Sequence, residues 1–340
     1  MRYIGGKSLL NDNIAKAIEL NTQNVKSVID IFSGSGAVAS YLKEKGYTLL
    51  CNDILYFSFI LQRASIGLNR KPTFSHLGID DPINHLNSLS LEQTSFSKND
   101  CFIYQNYSLG GSERMYFQEK NALKIDIIRM TIEEWHKSNQ INDDEYYYLL
   151  AALINAVPYV ANITGVYAAY LKFWDKRTFN DLTLEELPLF DNNVQNQCFN
   201  NDYRELLNIK ADLLYADPPY NSREYLPNYH ILETIARYDS PEIHGVTGMR
   251  EYSDLKSPFC KKNSVESAFE ALIRDTQCQY ILISYNNEAL LPTERLSEIC
   301  KEYAVQDSFK LFEFSYRRYK NKIPNNSQGL KEQLYFLRRN

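Results

Sequence analysis

The sequence predicts an α/β protein: a doubly wound, mostly parallel sheet interrupted by a mainly helical insertion. Three observations carry this. The apolar run Val28-Ile29-Asp30-Ile31-Phe32 leads straight into Ser33-Gly34-Ser35-Gly36. A second run, Tyr47–Cys51, ends in Asn52-Asp53, and a third, Ala211–Tyr215, feeds Asp217-Pro218-Pro219-Tyr220. Each run has the length of a buried strand, and helix-period segments lie between them.

In chain order, Leu10, Ile14, Ala17 and Ile18 share one face of a first amphipathic helix. After the strand at 28–32 come a helix over Ala37–Lys45, the strand 47–51 and a helix over 55–67. From about 70 to 195 the pattern changes. Pro72, Pro82 and the Ser/Asn-rich stretch 84–100 read as loop. Ile125, Ile128, Ile132 and Trp135 mark the buried stripe of a long helix. Tyr146–Val157 forms another, which Pro158 ends or kinks. The alternation resumes at 211–215. A helix at 229–238, a strand over Tyr280–Ser284, a helix near 293–303, and strands Phe309–Phe314 and Gln333–Leu337 at hairpin distance complete it.

Composition narrows the class. Among 340 residues, 44% are hydrophobic, enough for a sizeable core, yet no apolar run reaches the length of a membrane span. Met1–Lys7 lacks the apolar run of a signal peptide, so a soluble cytoplasmic protein is expected. The cysteines at 51, 101, 198, 260, 278 and 300 form no CxxC pair, which points to reduced thiols and to no metal site. A net charge of −5 does not advertise a nucleic-acid binder. Its distribution says more. Segment 309–340 holds Lys310, Arg317, Arg318, Lys320, Lys322, Lys331, Arg338 and Arg339 against two acids, Glu313 and Glu332. Tyr316 and Tyr319 interleave with these cations, a pattern suited to phosphates and stacked bases or to a solvated hairpin loop.

Three constellations carry chemistry. Glycines between strand and helix at 33–36 let the backbone turn tightly and approach a ligand, and Asp30 there can pair with a cationic or hydroxylated group. Asp53, at the end of the next strand, is placed to accept ribose hydroxyls of a nucleoside cofactor or to cap the following helix. The third is Asp217-Pro218-Pro219-Tyr220. The exocyclic amine of adenine is a poor nucleophile because its lone pair is delocalised into the ring. A carboxylate (Asp217) and a carbonyl (Pro218) accepting its two hydrogens would hold it and free the lone pair for in-line attack on a sulfonium methyl. Pro218 and Pro219 fix that carbonyl, and Tyr220 offers a flat face to a base flipped out of its stack.

These blocks, in this order, resemble the adenine-N6 DNA methyltransferases of the Dam-like class, in the α-group arrangement and the FokI-methylase-like branch of type II restriction–modification systems. The resemblance spans nearly the whole chain. Tyr3-Ile4-Gly5-Gly6-Lys7 matches the N-terminal cofactor motif, which implies Tyr3 near the cofactor and Lys7 near its carboxylate or the target strand. Asp30 through Gly36 matches the cofactor loop, implying contacts from Asp30, Phe32, Ser33, Gly34 and Gly36 to the methionine part, with Asp53 on the ribose. Asn201-Asp202-Tyr203 is similar to the segment whose Asp accepts the cofactor's adenine amine. Asp217 to Tyr220 matches the catalytic motif.

Two further blocks, Asn162–Lys172 and Asn221–Tyr225 with Asn228-Tyr229-His230, are similar to segments of the same branch, and the second is expected beside the flipped adenine. A packed core residue is the alternative for His230. Residues 81–200 carry sixteen acids against nine bases. DNA contacts are therefore expected to be local: Lys172, Lys176 and Arg177 in the insertion, Arg223 and Tyr225 after the catalytic motif, and Arg317, Arg318 and Lys320 near the end.

The resemblance implies a Rossmann-like sheet whose last strand is antiparallel. It divides the chain into a catalytic and cofactor-binding domain (1–70 and 196–340) and an inserted helical target-recognition domain (71–195). It further implies S-adenosyl-L-methionine as donor, S-adenosyl-L-homocysteine as product, no metal, and double-stranded DNA as substrate. A monomer is expected, off the membrane, with a cognate restriction endonuclease acting on the same site without a stable complex.

Rival readings are weaker. Gly5-Gly6-Lys7-Ser8 has the end of a phosphate-binding loop but not the strand and earlier glycine that loop requires. An RNA adenine methyltransferase, or a DNA-binding protein that keeps the fold without catalysis, are the alternatives. Glutamine-modifying relatives usually carry Asn where Asp217 stands.

Overall fold

The computed structural model describes residue 7, residues 9–315 and residues 331–339. Seven strands form one sheet: β1 (Ser27–Asp30), β2 (Thr48–Asn52), β3 (Gln197–Phe199), β4 (Leu213–Ala216), β5 (Tyr280–Asn286), β6 (Lys310–Ser315) and β7 (Lys331–Arg338). The helices are α1 (Asn11–Asn21), α2 (Ala37–Glu44), α3 (Tyr56–Gln62), α4 (Pro82–Ser88), α5 (Phe102–Tyr107), α6 (Glu119–Lys137), α7 (Asp143–Ala156), α8 (Leu226–Arg237), α9 (Val265–Asp275) and α10 (Thr293–Tyr303). Packing divides these elements into two compact units. One comprises residues 9–54, Asn192–Glu224 and 255–339; the other comprises Leu55–Asp191 and Tyr225–Asp254.

The first unit is the sheet with α1, α2, α9 and α10. Its strand order is β3-β2-β1-β4-β5-β7-β6, parallel except for β7, which runs antiparallel between β5 and β6. An antiparallel final strand is what the sequence comparison with the methyltransferase class implies. The strands read as near-continuous apolar runs because a sheet covered on both faces buries both sets of side chains. All seven residues of β5 and the central six of β7 are buried. Phe269 and Leu272 of α9, Leu296 and Ile299 of α10, and Ile29, Leu214, Ile281 and Tyr335 of the sheet share one core.

Chain order reverses between β1 and β4. In such a sheet, ligands bind outside the carboxyl ends of the strands at that switch point. Asp30 ends β1 and Asp217 follows the last residue of β4, so both acids emerge there.

The second unit is mainly helical and contains most of 71–195, the stretch expected to be an inserted domain. It also takes in 55–70 and 225–254, because α3 and α8 pack on α7 and on each other. Two buried acids explain the cohesion. The N-cap of α3 is Leu55, which has no side-chain acceptor; Glu233 of α8 accepts from the Tyr56 and Phe57 amides, both at 3.0 Å. The N-cap of α5 is Cys101, also without a side-chain cap bond; Asp126 of α6 accepts from Ile103 and Tyr104 at 2.9 and 2.8 Å. Burial pushes the Asp126 carboxyl up to about 7, against the pull of its hydrogen bonds.

The loop reading of 84–100 needs correction. Pro82–Ser88 is helical because Pro82 sits at the start, where its missing N–H costs nothing, and Asp81 caps the Asn84 amide at 3.0 Å. Ser90 with Gln93 and Ser97 with Asp100 then form capping boxes on two single 3₁₀ turns.

Arg129 closes the other end of α8. Its guanidinium, 2% exposed, donates to the Ile235 and Ala236 carbonyls at 3.0 and 3.2 Å and to Glu133 at 2.8 Å. It satisfies acceptors that a helix C-terminus leaves orphaned. Arg129→Ala should lower stability by about 3 kcal/mol, since removing one member of a buried, hydrogen-bonded charge group strands the rest. Urea denaturation of the variant checks this. Arg129→Lys should recover little, because a point charge cannot reach both carbonyls and Glu133.

Candidate active site

The site is built on the carboxyl edge of the first unit's sheet. After β1 the chain turns through Gly34 (φ 53°) and Gly36 (φ 77°), both in the left-handed region that disfavours a side chain. Gly36 caps α2, and the turn is closed by the Ser33 amide on the Asn52 carbonyl at 2.8 Å and the Gly36 amide on the Ser33 carbonyl at 2.8 Å. Asp53, at the end of β2, accepts from the Gly34 amide at 2.9 Å. Its carboxylate and the glycine turn are thus one structure, which the residue spacing anticipates.

Asn52 staples this edge, and sequence reasoning gave it no role. Its side-chain amide donates to the Ile31 and Asn201 carbonyls at 3.2 and 3.1 Å and accepts from the Asn201 amide at 3.0 Å. Asn52 thus helps to fix the 201–203 segment beside the glycine turn, together with Asn200, whose side chain donates to the Asp53 and Ile54 carbonyls. Phe32, Tyr203 and Phe259 form an aromatic triangle with centroids 5.2, 5.3 and 5.4 Å apart. Phe259 carried no sequence signal. Asp202 is held by its neighbour: the Arg204 Nε and Nη2 donate to its two oxygens at 2.8 and 2.7 Å, and this pairing pulls its pKa down.

Asp30 is 1% exposed. Ser33 Oγ donates to its Oδ2 at 3.0 Å, while Oδ1 has no hydrogen-bond partner among the described residues. Burial, with the nearby charges of Asp217 and Asp53, pushes its carboxyl up to about 8. A buried acid with an empty acceptor is suited to a cationic ligand group, which would favour its ionised form.

Asp217 stands across the switch point with its side chain 17% exposed. Lys7 Nζ lies 3.4 Å from its Oδ1 and 2.8 Å from Oε2 of Glu332 on β7, and 5.4 Å from the Tyr220 ring centroid. Burial pushes Asp217 up to about 7; Glu332 adds to this and Lys7 opposes it. For Lys7, burial alone would depress the ammonium, but Asp217 and Glu332 outweigh it and raise its pKa. Pro218 and Tyr220 are buried, and the Tyr220 carbonyl accepts from Leu290 at 3.1 Å. The Asp217 Oδ1, Tyr215 hydroxyl and Ser284 hydroxyl join Asp30 Oδ1 as buried polar atoms with no hydrogen-bond partner among the described residues. Buried oxygens without hydrogen-bond partners among the described residues, an excess of carboxylate over ammonium, and the Phe32 and Tyr203 rings fit a cationic nucleoside such as S-adenosylmethionine.

The remaining expected residues fall elsewhere. Tyr3, Arg317, Arg318 and Lys320 lie outside the described residues. Lys7 is paired with the Asp217 and Glu332 carboxylates, beside the catalytic motif. Arg223 is exposed in the first unit, whereas Tyr225 is half-buried in the second. Lys172 and Lys176 are exposed, but Arg177 donates to the Ile163 carbonyl within its own loop. His230, expected beside a flipped base, is fully buried in the helical unit. Its Nε2 lies 3.0 Å from the Tyr167 carbonyl, between the Tyr107 and Tyr116 rings, and burial pulls its pKa down to about 4. It is a packed, neutral core residue. No cluster of three metal-ligating side chains occurs among the described residues.

A glycine turn, an acid at the next strand end and a proline-fixed carboxylate at the switch point of a sheet with this strand order define the methyltransferase class of α/β proteins. The chain belongs to the D12 class N6 adenine-specific DNA methyltransferase family, which residues 3–299 match. It is 43% identical over 345 residues to the type II methyltransferase M.FokI of Planomicrobium okeanokoites and 40% identical over 344 residues to the modification methylase StsI of Streptococcus sanguinis. Both alignments cover all of this chain but only 53% and 52% of those proteins, so the chain spans about half their length. The type II methyltransferase M.NlaIII of Neisseria lactamica is 38% identical over 325 residues, covering 94% of this chain and 92% of that protein.

Asp53→Ala should weaken cofactor affinity by roughly tenfold, the worth of one charge-assisted hydrogen bond, with a smaller effect on the saturated rate. Isothermal titration with S-adenosylhomocysteine measures it, and unchanged affinity removes Asp53 from the ribose role.

Proposed function

We propose that this chain is a site-specific DNA adenine-N6 methyltransferase that uses S-adenosyl-L-methionine and acts on an adenine flipped out of duplex DNA. The observation that carries the reading is Asp217: a carboxylate at the switch point, followed by two prolines and a buried tyrosine, and poised against one lysine. When bound, the donor supplies an electrophilic methyl group on sulfur and leaves as S-adenosyl-L-homocysteine. Asp217 accepts one N6 hydrogen and the Pro218 carbonyl the other, which localises the amine's lone pair. The Tyr220 ring receives the base. Methylation makes the amine acidic, and a carboxyl held near neutrality, as Asp217 is, takes the released proton and passes it to solvent.

The helical unit is proposed as the part that reads the DNA sequence. One loop there is suited to it. Asn162, fully buried, donates to the Met115 and Leu171 carbonyls at 3.0 and 2.9 Å and accepts from the Asp175 amide at 3.0 Å. Asn121 grips Thr178, Asn180 and Leu182 in the same way. The loop so pinned exposes Lys172, Phe173, Lys176 and Phe179, cations beside flat apolar faces.

The relatives named as type II methyltransferases and modification methylases support a role in protecting DNA from a cognate restriction endonuclease; action in the cytoplasm and as a monomer is proposed with that role. No helix among the described residues is long and apolar enough to cross a membrane. The test is competition: duplex DNA, single-stranded DNA and structured RNA offered together with labelled donor. Label in the duplex supports the reading; label confined to RNA overturns it.

A further inference from the structure

Glu332 belongs to none of the blocks that mark the site, yet it reaches the catalytic carboxylate through one intermediary. It lies on β7, opposite Asn286 of β5, and is 4% exposed. Its Oε2 accepts from Lys7 Nζ at 2.8 Å, across 325 residues of chain. A buried carboxylate is costly, and apolar residues of similar volume usually serve stability as well or better than a buried ion pair. The geometry offers a different reason for it. Lys7 gives its hydrogen bond to Glu332 and stands 3.4 Å from Asp217, whose Oδ1 accepts no hydrogen bond among the described residues.

We propose that Glu332 is a positioning residue for methyl transfer: it takes the Lys7 hydrogen bond, holds the ammonium back from Asp217 and so keeps the Asp217 carboxylate a strong acceptor for the target amine. The inference rests on the catalytic role of Asp217 proposed above. The groups facing Asp217 are Lys7, Glu332 from β7, Asp30 from β1 and Tyr215 from its own strand. Lys7 is the one cation in this set, shared between the Asp217 and Glu332 carboxylates. Without the Glu332 charge, Lys7 closes on Asp217 and stabilises its ionised form, which makes the carboxylate a weaker acceptor and base. The Glu332 charge also raises the Asp217 pKa directly, so both effects of its loss have the same sign.

Glu332→Gln keeps the shape and a hydrogen-bonding group but removes the charge. Its kcat at neutral pH should fall about tenfold with the KM for S-adenosylmethionine changed by less than about threefold. The acid limb of its kcat profile should move down by about one pH unit. Glu332→Asp, which retains the charge on a shorter arm, should restore part of the rate and return the limb towards its wild-type position. An unshifted limb with a uniform loss of rate, or undiminished kcat, overturns the proposal. A carboxylate titration of Asp217 by carbon NMR, in wild type and in Glu332→Gln, reads the same shift without any DNA. A lower midpoint in the variant establishes the coupling of Glu332 to Asp217 even if the wild type proves inactive on DNA, which would overturn the catalytic reading alone; an unchanged midpoint refutes the coupling, and with it the positioning role, even if DNA is methylated.

Discussion

Asp217→Ala is expected to abolish methyl transfer, by about 10³-fold or more, while S-adenosylhomocysteine should still bind. The magnitude follows from removing an acceptor aimed at the reacting group in a partly dehydrated site, where one such donor or acceptor is worth about 10²–10³ in rate, with the loss of the proton acceptor added. Binding survives because the glycine turn, Asn52 and Asp53 are held by contacts that do not involve Asp217. The wild-type pH profile follows from the same residue. Its carboxyl is pushed up to about 7 by burial first and by Glu332 second. Catalysis needs the ionised form, so kcat should rise as pH passes upward through about 7 and level off above it. A flat profile between pH 6 and 8 would separate Asp217 from the rate-determining step.

Lys7→Met produces the second large effect and moves the profile the other way. With the ammonium gone, the Asp217 and Glu332 carboxylates share one buried site, and one of them retains a proton. The rate at neutral pH should fall about 10²-fold, as expected when a catalytic base is mostly in the wrong protonation state, and recover as pH is raised. Stability should fall too. The Lys7 pKa is raised by folding, so its contribution is fully present below the unfolded value of 10.5 and is lost only as pH rises through the higher folded value. The variant forfeits it at neutral pH. Opposite displacements of the acid limb in Lys7→Met and Glu332→Gln would tie the three residues into one electrostatic unit; a common direction would break that link.

Much of this site is legible in the sequence because the chemistry is local to strand ends. The glycines at 34 and 36 stand where the backbone takes positive φ, and Asp53 ends the strand after them, bonded to Gly34. Asp217 to Tyr220 follows β4 directly. The periodicity of 293–303 coincides with α10, and the two last strands pair as a hairpin.

What was hidden is tertiary. β3 has three residues and no apolar run; it exists because Cys198 and its neighbours pair with β2. α4 hides inside a Ser/Asn-rich stretch, since a cap and a proline rather than an apolar stripe start it. The joining of 55–70 and 225–254 to the helical unit depends on α3 and α8 packing on α7 and on each other, where Glu233 caps α3 across 177 residues. Glu332 reads as one more polar residue beside Lys331 in an edge hairpin; only folding sets it against Lys7. Arg177, a cation whose sequence suits phosphate, also has a contact that only folding supplies: its guanidinium donates to the Ile163 carbonyl.

The central claim is that Asp217 directs a methyl group onto N6 of adenine in DNA. It is tested most directly by incubating wild type and Asp217→Ala with labelled S-adenosylmethionine and mixed-sequence duplex, then digesting to nucleosides and separating them. The expected result is N6-methyladenine from the wild type alone. N4-methylcytosine as the product, or N6-methyladenine formed equally well by Asp217→Ala, would contradict it.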